Sequence, residues 1–211
     1  MRSSDLVYFG SVLVMSIAGL TILGWHTHDY ELIQILPTYA PMQYNTALCF
    51  FMSGMILWLV NWAKQPIWVR VLAGVISLIS GLTLFEYLAG VNLGIDTLWV
   101  EPYVKTKTPF PGRMSSNTAI CFLLYSFSVL TYQYVMNRKN TSIAALPVVN
   151  SLASLCFVSL ALIGYLLTLF GLNQTLWGNL YEMALHTVMC FILLFGGLFV
   201  VTLQSYRFHQ L

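Results

Sequence analysis

The sequence predicts an all-α integral membrane protein that crosses the bilayer six times. Hydrophobic residues make up 58% of the 211 residues and charged residues only 8%, whereas a soluble domain carries roughly 25% charged residues. The apolar residues fall in long continuous runs, and a helix needs about 20 of them to cross the bilayer core. Because lipid offers the backbone no hydrogen bonds, such runs are expected to be helices.

Six apolar runs define the predicted spans, whose interiors contain one formal charge. The runs are Leu6–Trp25, Gln43–Trp62, Ile67–Val91, Met114–Tyr134, Ile143–Leu169 and Glu182–Leu203. Six of the nine Lys and Arg residues lie on the side of the two chain termini, and three lie on the opposite side. By the positive-inside rule, both termini are therefore expected to be cytoplasmic.

Charge and cysteine usage narrow the function classes. The formal net charge of +2, without a basic stripe, indicates no nucleic-acid partner. The four cysteines all lie inside apolar runs and are expected to be buried thiols rather than a disulfide framework. They are Cys49, Cys121, Cys156 and Cys190. The sequence has no pattern typical of a nucleophile–base pair, a phosphate loop or paired catalytic carboxylates.

The second, fourth and sixth spans begin with the same pattern, Met-x-x-(Asn/His)-Thr-x-x-Cys-Phe. The pattern starts at Met42, Met114 and Met183, and its Asn/His positions are 72 and 69 residues apart. Such a repeat predicts three tandem helical hairpins, at about residues 6–66, 67–142 and 143–205. Three like hairpins are expected to pack around a pseudo-threefold axis normal to the membrane.

The first, third and fifth spans repeat more weakly. Gly19-Leu-Thr-Ile-Leu in the first span resembles Gly81-Leu-Thr-Leu-Phe in the third, and Gly164-Tyr-Leu-Leu-Thr in the fifth is a poorer match. We expect these spans to be the first helices of the three hairpins, with the second, fourth and sixth spans presenting equivalent faces to one another.

The repeated polar residues predict a ligand site. Met, Asn/His and Cys stand at i, i+3 and i+7 and so share one helix face, which should point inward because polar groups in a span seldom face lipid. The Cys positions lie about 6 Å deeper than Asn/His. The predicted funnel opens outward and contains Met42, Met114 and Met183 at its rim, then Asn45, Asn117 and His186 beside Thr46, Thr118 and Thr187, and Cys49, Cys121 and Cys190 deepest.

Other roles for these layers remain open. Asn near a helix start can cap the helix or bond to a neighbouring helix instead of a ligand. Met and Cys suit Cu(I), but they are also ordinary apolar fillers that a duplicated packing arrangement would repeat. Haem is a further alternative, because His26 and His28 lie on the same side as His186. No cofactor is firmly implied.

Two charged residues near the outer face add to the candidate site. Glu86 lies in the third span, where an ionisable residue indicates function. We expect it to bind the ligand in a pH-sensitive form, with an interfacial or structural role as the alternative. Arg113 is expected to contact a lipid headgroup, to pair with Asp96 or Glu101, or to reach an anionic ligand. The segment 92–99 is expected to form a short interfacial helix.

Five stretches of the chain resemble a known bacterial membrane module. It is the N-terminal six-helix sensor module of sensor histidine kinases and GGDEF-type diguanylate cyclases. The stretches are Pro41-Met42-x-x-Asn45-Thr-Ala-Leu, Leu84-Phe-Glu86-Tyr87, Leu93-Gly-Ile-Asp96, Pro111-Gly-Arg-Met114-Ser-x-Asn117-Thr-Ala and Met183-Ala-Leu-His186-Thr. The triple hairpin is also similar in plan to the MHYT sensor family, whose Met-His-Tyr-Thr motif is absent here, so metal binding does not carry over.

The resemblance implies that residues 1–211 are a single sensor domain of the bacterial inner membrane. It also implies a homodimer and a cytoplasmic effector domain after residue 211. The first hypothesis is therefore a signal-input domain that binds a small molecule, lipid, quinone or ion in an outward-facing pocket and relays to a kinase or cyclase. A small transporter or channel is the alternative, although the inner halves of the spans are strongly apolar. A haem or copper redox protein is a third hypothesis.

Overall fold

The computed structural model of the chain describes residues 3–35, 40–63, 66–104, 110–138, 143–169 and 183–210. These ranges are helical and contain no strand. The helices are α1 (Ser3–Thr27), α2 (Tyr30–Ile33), α3 (Tyr44–Trp58), α4 (Pro66–Ala89), α5 (Ser116–Arg138), α6 (Leu146–Leu169) and α7 (Leu185–Gln210). All except the four-residue α2 are long and apolar enough to cross a membrane. The predicted all-helical, multi-pass chain with six such helices is confirmed over these residues.

Two short elements extend or connect the long helices. A π-helical turn, Leu59–Ala63, continues α3, and a 3-10 helix occupies Ile95–Thr97. The 3-10 helix lies within segment 92–99, so the short helix expected there is present as a single turn. It begins after Gly94, whose φ of 76° is left-handed and suits glycine.

The long helices pack most extensively on their neighbours in the chain. The largest contacts are α1 with α3, α4 with α5, and α6 with α7. Further contacts join α3 to α4, α5 to α6, and α7 to α1, so the helices form a closed ring. Within this ring α7 also contacts α3 and α5. A shift of one helix pair is therefore felt by both neighbouring pairs.

Three phenylalanines make the inner contact between α3, α5 and α7. The ring centroids are 4.8 Å apart for Phe50 and Phe122, 4.6 Å for Phe50 and Phe191, and 4.8 Å for Phe122 and Phe191. The ring planes meet at 60°, 61° and 59° in the same order. All three side chains are fully buried, and such tilted pairs are favourable. We call these residues the phenylalanine cluster; each is the last residue of the repeated pattern.

A second feature recurs in the three helix pairs α1 with α3, α4 with α5, and α6 with α7. An aromatic side chain of the first helix donates a hydrogen bond to the main-chain oxygen of the methionine that precedes the second helix. The three pairs are Trp25 with Met42 at 2.8 Å, Tyr87 with Met114 at 3.1 Å, and Tyr165 with Met183. These bonds satisfy main-chain oxygens near the starts of the second helices. Lipid tails could not do so, because they have no hydrogen-bond donors.

The aromatic donors give the register of α1, α4 and α6. When Trp25, Tyr87 and Tyr165 are aligned, most buried positions of the three helices coincide. They are Val7, Val69 and Pro147; Ser11, Ala73 and Ser151; Val14, Ile76 and Ser154; Ala18, Ser80 and Val158; and Thr21, Thr83 and Ala161. Gly19 and Gly81 then correspond to Ser159, not to Gly164 as the sequence comparison predicted. The glycine match fails because burial, not residue identity, sets this register.

Helix α3 approaches α1 closely at Gly54. A Cβ atom added there would lie 2.6 Å from Met15 Cγ and 3.0 Å from the main-chain oxygen of Ser11. We expect Gly54→Ala to destabilise the fold by about 1–3 kcal/mol, the usual cost of overpacking. Thermal unfolding of the purified protein in detergent measures this.

Gly74→Ala is the matched control, because a Cβ atom at Gly74 would meet nothing within 4 Å. Alanine is the better helix former by about 1 kcal/mol, so this variant should melt at the same temperature or slightly higher. Equal melting of the two variants would contradict the close approach of α1 and α3.

Candidate functional site

The predicted Asn/His layer lies inside the protein, with different partners at each position. Asn45 and His186 are buried and Asn117 is half-buried. Asn45 Nδ2 donates a 2.9 Å hydrogen bond to the main-chain oxygen of Ile95, and Asn117 also makes an interaction. Neither ring nitrogen of His186 has a hydrogen-bond partner among the described residues. Asn45 thus makes the kind of interhelical contact that was the alternative to ligand binding.

Among the described residues the central column is closed, and they show no funnel such as the one predicted to open outward. Met42, Met114 and Met183 are each only 1% exposed. The reason lies in helix geometry. Thr and Phe of the repeated pattern are four residues apart and share a face, and the phenylalanine cluster fills the space between the helices. The adjacent Cys position points about 100° away from that face.

The four cysteines are free thiols, but the prediction that all four are buried is wrong for Cys156. Cys49, Cys121 and Cys190 are buried and Cys156 is exposed. The described residues contain no group of three or more His, Cys, Asp or Glu side chains placed to hold a metal ion. The Cys layer therefore contributes packing beside the phenylalanine cluster in this structure, and copper binding by Met and Cys stays a prediction.

A buried group of three charges lies near the outer ends of α4 and α5. Arg113 Nη2 is 3.2 Å from Glu86 Oε1, and Arg113 Nε donates to Asp96 Oδ2 at 2.7 Å. The Arg113 and Glu86 side chains are 0% exposed and that of Asp96 is 4% exposed. The guanidinium also lies 4.1 Å from the ring centroid of Phe110. We call Glu86, Asp96 and Arg113 the ion cluster.

This geometry decides between alternatives that the sequence left open. The predicted pairing of Arg113 with Asp96 is confirmed. The expected contact of Arg113 with a lipid headgroup is wrong, because the residue is only 2% exposed. The side chain of Glu86 is fully buried and ion-paired with Arg113, and its depth in the bilayer stays a prediction.

The ion cluster fixes part of the connection between α4 and α5. Glu86 Oε1 accepts a 2.6 Å hydrogen bond from the main-chain N–H of Leu93, and Arg113 Nη2 donates to the main-chain oxygen of Val91 at 3.4 Å. Asn45 holds Ile95 in the same stretch. We call residues 91–97 the docked segment. It is bonded to Asn45 on α3, to Glu86 on α4 and to Arg113, which precedes α5.

The ion cluster breaks the repeat. In the register set by the aromatic donors, Gly24 and Gly164 occupy the position of Glu86, and all three are buried. The donor-to-methionine separation is 27 residues in the middle hairpin but 17 and 18 in the others. The longer connection carries the docked segment with Asp96. The other two helix pairs form their aromatic bonds without a buried charge at this position. This helix pairing therefore does not itself require an ion cluster.

A cleft of about 430 Å³ opens beside the ion cluster. Its lining residues are Asn92, Asp96, Thr97, Glu101, Pro102, Phe110 and Pro111. Two members are carboxylates, and Phe110 also packs against the Arg113 guanidinium. Burial raises the pKa of Asp96; the hydrogen bond from Arg113 opposes this shift and the charge of Glu86 adds to it. The cleft therefore gives solvent access to one member of the ion cluster.

Comparisons with known proteins add no assignment. No family model, curated protein or solved structure matches the chain. The candidate site consequently rests on the chain's own geometry. Its members differ from the predicted set: Glu86 is common to both, whereas the cleft and the docked segment are new. The signal that would have indicated them is the extra length between Tyr87 and Met114.

Removing the cation of the ion cluster should be costly. We expect Arg113→Met to destabilise the protein by about 3–5 kcal/mol, because it leaves two buried carboxyl groups without their partner. Glu86→Gln, which keeps the pair between Asp96 and Arg113, should cost much less. Chemical or thermal unfolding in detergent measures both.

Coupling distinguishes an ion cluster from independent contacts. The double variant Glu86→Gln/Arg113→Met should lose less stability than the two single variants together, since it removes one of the unpaired charges. Arg70→Met is the control, because Arg70 is exposed on α4 and should change stability by less than about 0.5 kcal/mol. Strict additivity of the two substitutions would contradict the ion cluster.

Proposed function

We propose that this chain is a membrane-embedded signal-input domain whose outer cleft and ion cluster respond to a small ligand or ion. The response passes through α7 to a cytoplasmic effector, a histidine kinase or a diguanylate cyclase. The domain lies in the bacterial inner membrane with both termini cytoplasmic, spans residues 1–211 and works as a homodimer. The sequence resemblance and the asymmetric outer site support this proposal.

The observation that carries the proposal is the position of the ion cluster between the cleft and two spanning helices. Asp96 lines the cleft, Glu86 belongs to α4, and Arg113 directly precedes Met114 at the start of the second helix. A ligand in the cleft that favours one arrangement of these charges will favour one packing of α4 against α5. Only such a differential interaction can transmit a signal.

A three-hairpin architecture around a pseudo-threefold axis suits this role. It is supported by the paired helix contacts, by the near-equal distances of the phenylalanine cluster and by the three aromatic hydrogen bonds. Since the helix ring is closed, a change in the middle hairpin reaches α7 through α5 and α6.

The predicted Asn/His layer takes a part in the same proposal. Asn45 connects α3 to the docked segment, so its helix follows any movement of that segment. His186 is the equivalent residue on α7 and has unpartnered ring nitrogens in the described structure. We propose that side chains of the layer, with the adjacent Thr and Met residues, change their contacts when the outer connections move.

The phenylalanine cluster favours a sensor over a channel. Three packed rings occupy the space between α3, α5 and α7, and the residues around them are buried and mostly apolar. A conducting path along the axis would need polar groups or an opening at this depth. Flux of ions or solutes through proteoliposomes would favour the transporter alternative instead.

A distance measurement across the cytoplasmic face tests the relay. Spin labels at Asn137→Cys on α5 and Arg207→Cys on α7 occupy exposed positions, in a background where the exposed Cys156 is replaced by Ser. In lipid nanodiscs, Arg113→Lys should shift the label-to-label distance by about 1–2 Å, the usual size of helix shifts between signalling states. The shorter ammonium cannot bridge both carboxyl groups as the guanidinium does.

Glu31→Gln is the matched control, because Glu31 is an exposed outer carboxylate outside the ion cluster. It should leave the distance distribution unchanged. If Arg113→Lys folds normally, as judged by its melting temperature, and still gives the control distribution, the ion cluster does not communicate with the cytoplasmic face and the proposed function fails.

A further inference from the structure

We infer that the carboxyl groups of Glu86 and Asp96 share one proton beside Arg113, so that the ion cluster is a binding site for protons from the outer medium. The site itself follows from the geometry of the ion cluster. Its use as the input of a signal rests on the proposed function.

Charge balance is the first support. Two ionised carboxylates and one guanidinium would leave one negative charge uncompensated at side chains that are 0% to 4% exposed. An unpaired charge in such a place is strongly unfavourable. In the described structure the charged groups that face Asp96 are Arg113 and Glu86, and the further carboxylate of the cleft, Glu101, is also negative. One bound proton makes the ion cluster neutral.

Hydrogen-bond accounting is the second, independent support. Glu86 Oε1 and Asp96 Oδ2 have donors, but Glu86 Oε2 and Asp96 Oδ1 are buried and have none among the described residues. Both carboxyl groups lie against the same side of one guanidinium, at its Nη2 and Nε atoms. Its third nitrogen, Nη1, has no acceptor among the described residues and so does not serve the two free oxygens. Two ionised carboxylates can only accept, whereas one protonated carboxyl donates to the other. A single proton supplies the missing donor.

Other small ligands fit this position less well. The guanidinium of Arg113 repels a metal cation from the ion cluster, and the described residues contain no group of three metal-binding acidic, His or Cys side chains. The two carboxyl groups repel an anion. A proton needs no extra room and can arrive through the water of the cleft, because Asp96 lines it.

The direction of the pH response follows from the raised pKa of Asp96. The docked segment holds the proton at pH values where a free aspartate, with a pKa of 3.8, has already lost it. Docking is therefore complete at low outer pH and weakens as the pH rises through the raised pKa. Loss of the proton leaves two adjacent carboxylates, whose repulsion loosens the docked segment from α4.

Infrared difference spectroscopy of the protein in lipid nanodiscs tests the site directly. The carbonyl stretch of a protonated carboxyl should be present at low pH, persist above the pH at which a free aspartate with its pKa of 3.8 has ionised, and disappear as the pH rises further. Glu86→Gln and Asp96→Asn should each abolish this band, because either variant leaves a single carboxylate paired with Arg113. Glu101→Gln, the control in the same cleft, should retain both the band and its titration.

Hydrogen exchange at the docked segment gives a second readout. The Leu93 amide, bonded to Glu86, should lose protection as pH rises in the parent protein and in Glu101→Gln, after correction for the intrinsic rate. Asp96→Asn should remove this pH dependence. Absence of a titrating carboxyl band, or its persistence in both single variants, would overturn the inference.

These measurements separate the inference from the proposed function. A titrating carboxyl band, with a label distance between α5 and α7 that never changes with pH or with Arg113→Lys, establishes the proton site and refutes the relay. A distance that responds to Arg113→Lys, with no titrating carboxyl group, keeps the relay and refutes the proton as its ligand.

Discussion

The phenylalanine cluster is the contact on which the rest of the arrangement depends. Three equivalent helices can meet around one line only if each brings a side chain of similar size to the same depth, and Phe50, Phe122 and Phe191 do so with centroid distances between 4.6 and 4.8 Å. This contact sets the depth of α3, α5 and α7. Their first residues then lie level with the aromatic donors of the preceding helices, which bond to the main-chain oxygens of the repeated methionines. In a bilayer, where apolar surface is in contact with lipid in any case, such shape matching and hydrogen bonding carry helix association.

Against this regular background, the departures from the repeat are concentrated at the ion cluster. Gly24 and Gly164 show that the position of Glu86 can be filled without a charge. At Gly24 the absence of a side chain also lets the following connection approach, since an added Cβ atom would lie 2.6 Å from Leu32 Cβ. The middle hairpin instead carries a carboxylate, a longer connection and a buried arginine. A buried ionic group seldom adds stability compared with apolar packing of the same volume, so its presence in one hairpin of three is better explained by a function than by the needs of the fold.

Composition and the repeated pattern were sufficient to predict the helices, because a long uncharged apolar run in lipid satisfies its backbone hydrogen bonds by forming a helix. They were not sufficient to predict which face of each helix turns inward. Asn45 and Cys49 stood out as unusual residues, whereas Phe50 is one apolar residue among many, and only the packed structure distinguishes it. The register of α6 was missed for a similar reason: Ser, Ala and Val exchange freely at its buried positions, so identity is lost while burial is kept. The partners of Arg113 are 17 and 27 residues away in sequence, and their convergence depends on the docked segment, which no local pattern determines.

The free energy of binding one proton decides whether it can shift such a domain between two states. A ligand shifts an equilibrium only by its difference in affinity for the two states. For a proton that difference is the change in pKa between docked and released segment, at about 1.4 kcal/mol per unit. Taking a domain from about one part in ten active to nine parts in ten needs roughly an 80-fold shift, or about two pKa units. Docking acts in the required direction, because it buries Asp96 beside Glu86 and so raises the pKa of Asp96, whereas release would return it to water. In a homodimer that switches as a unit, two protons would act together, and each site would need only about one unit.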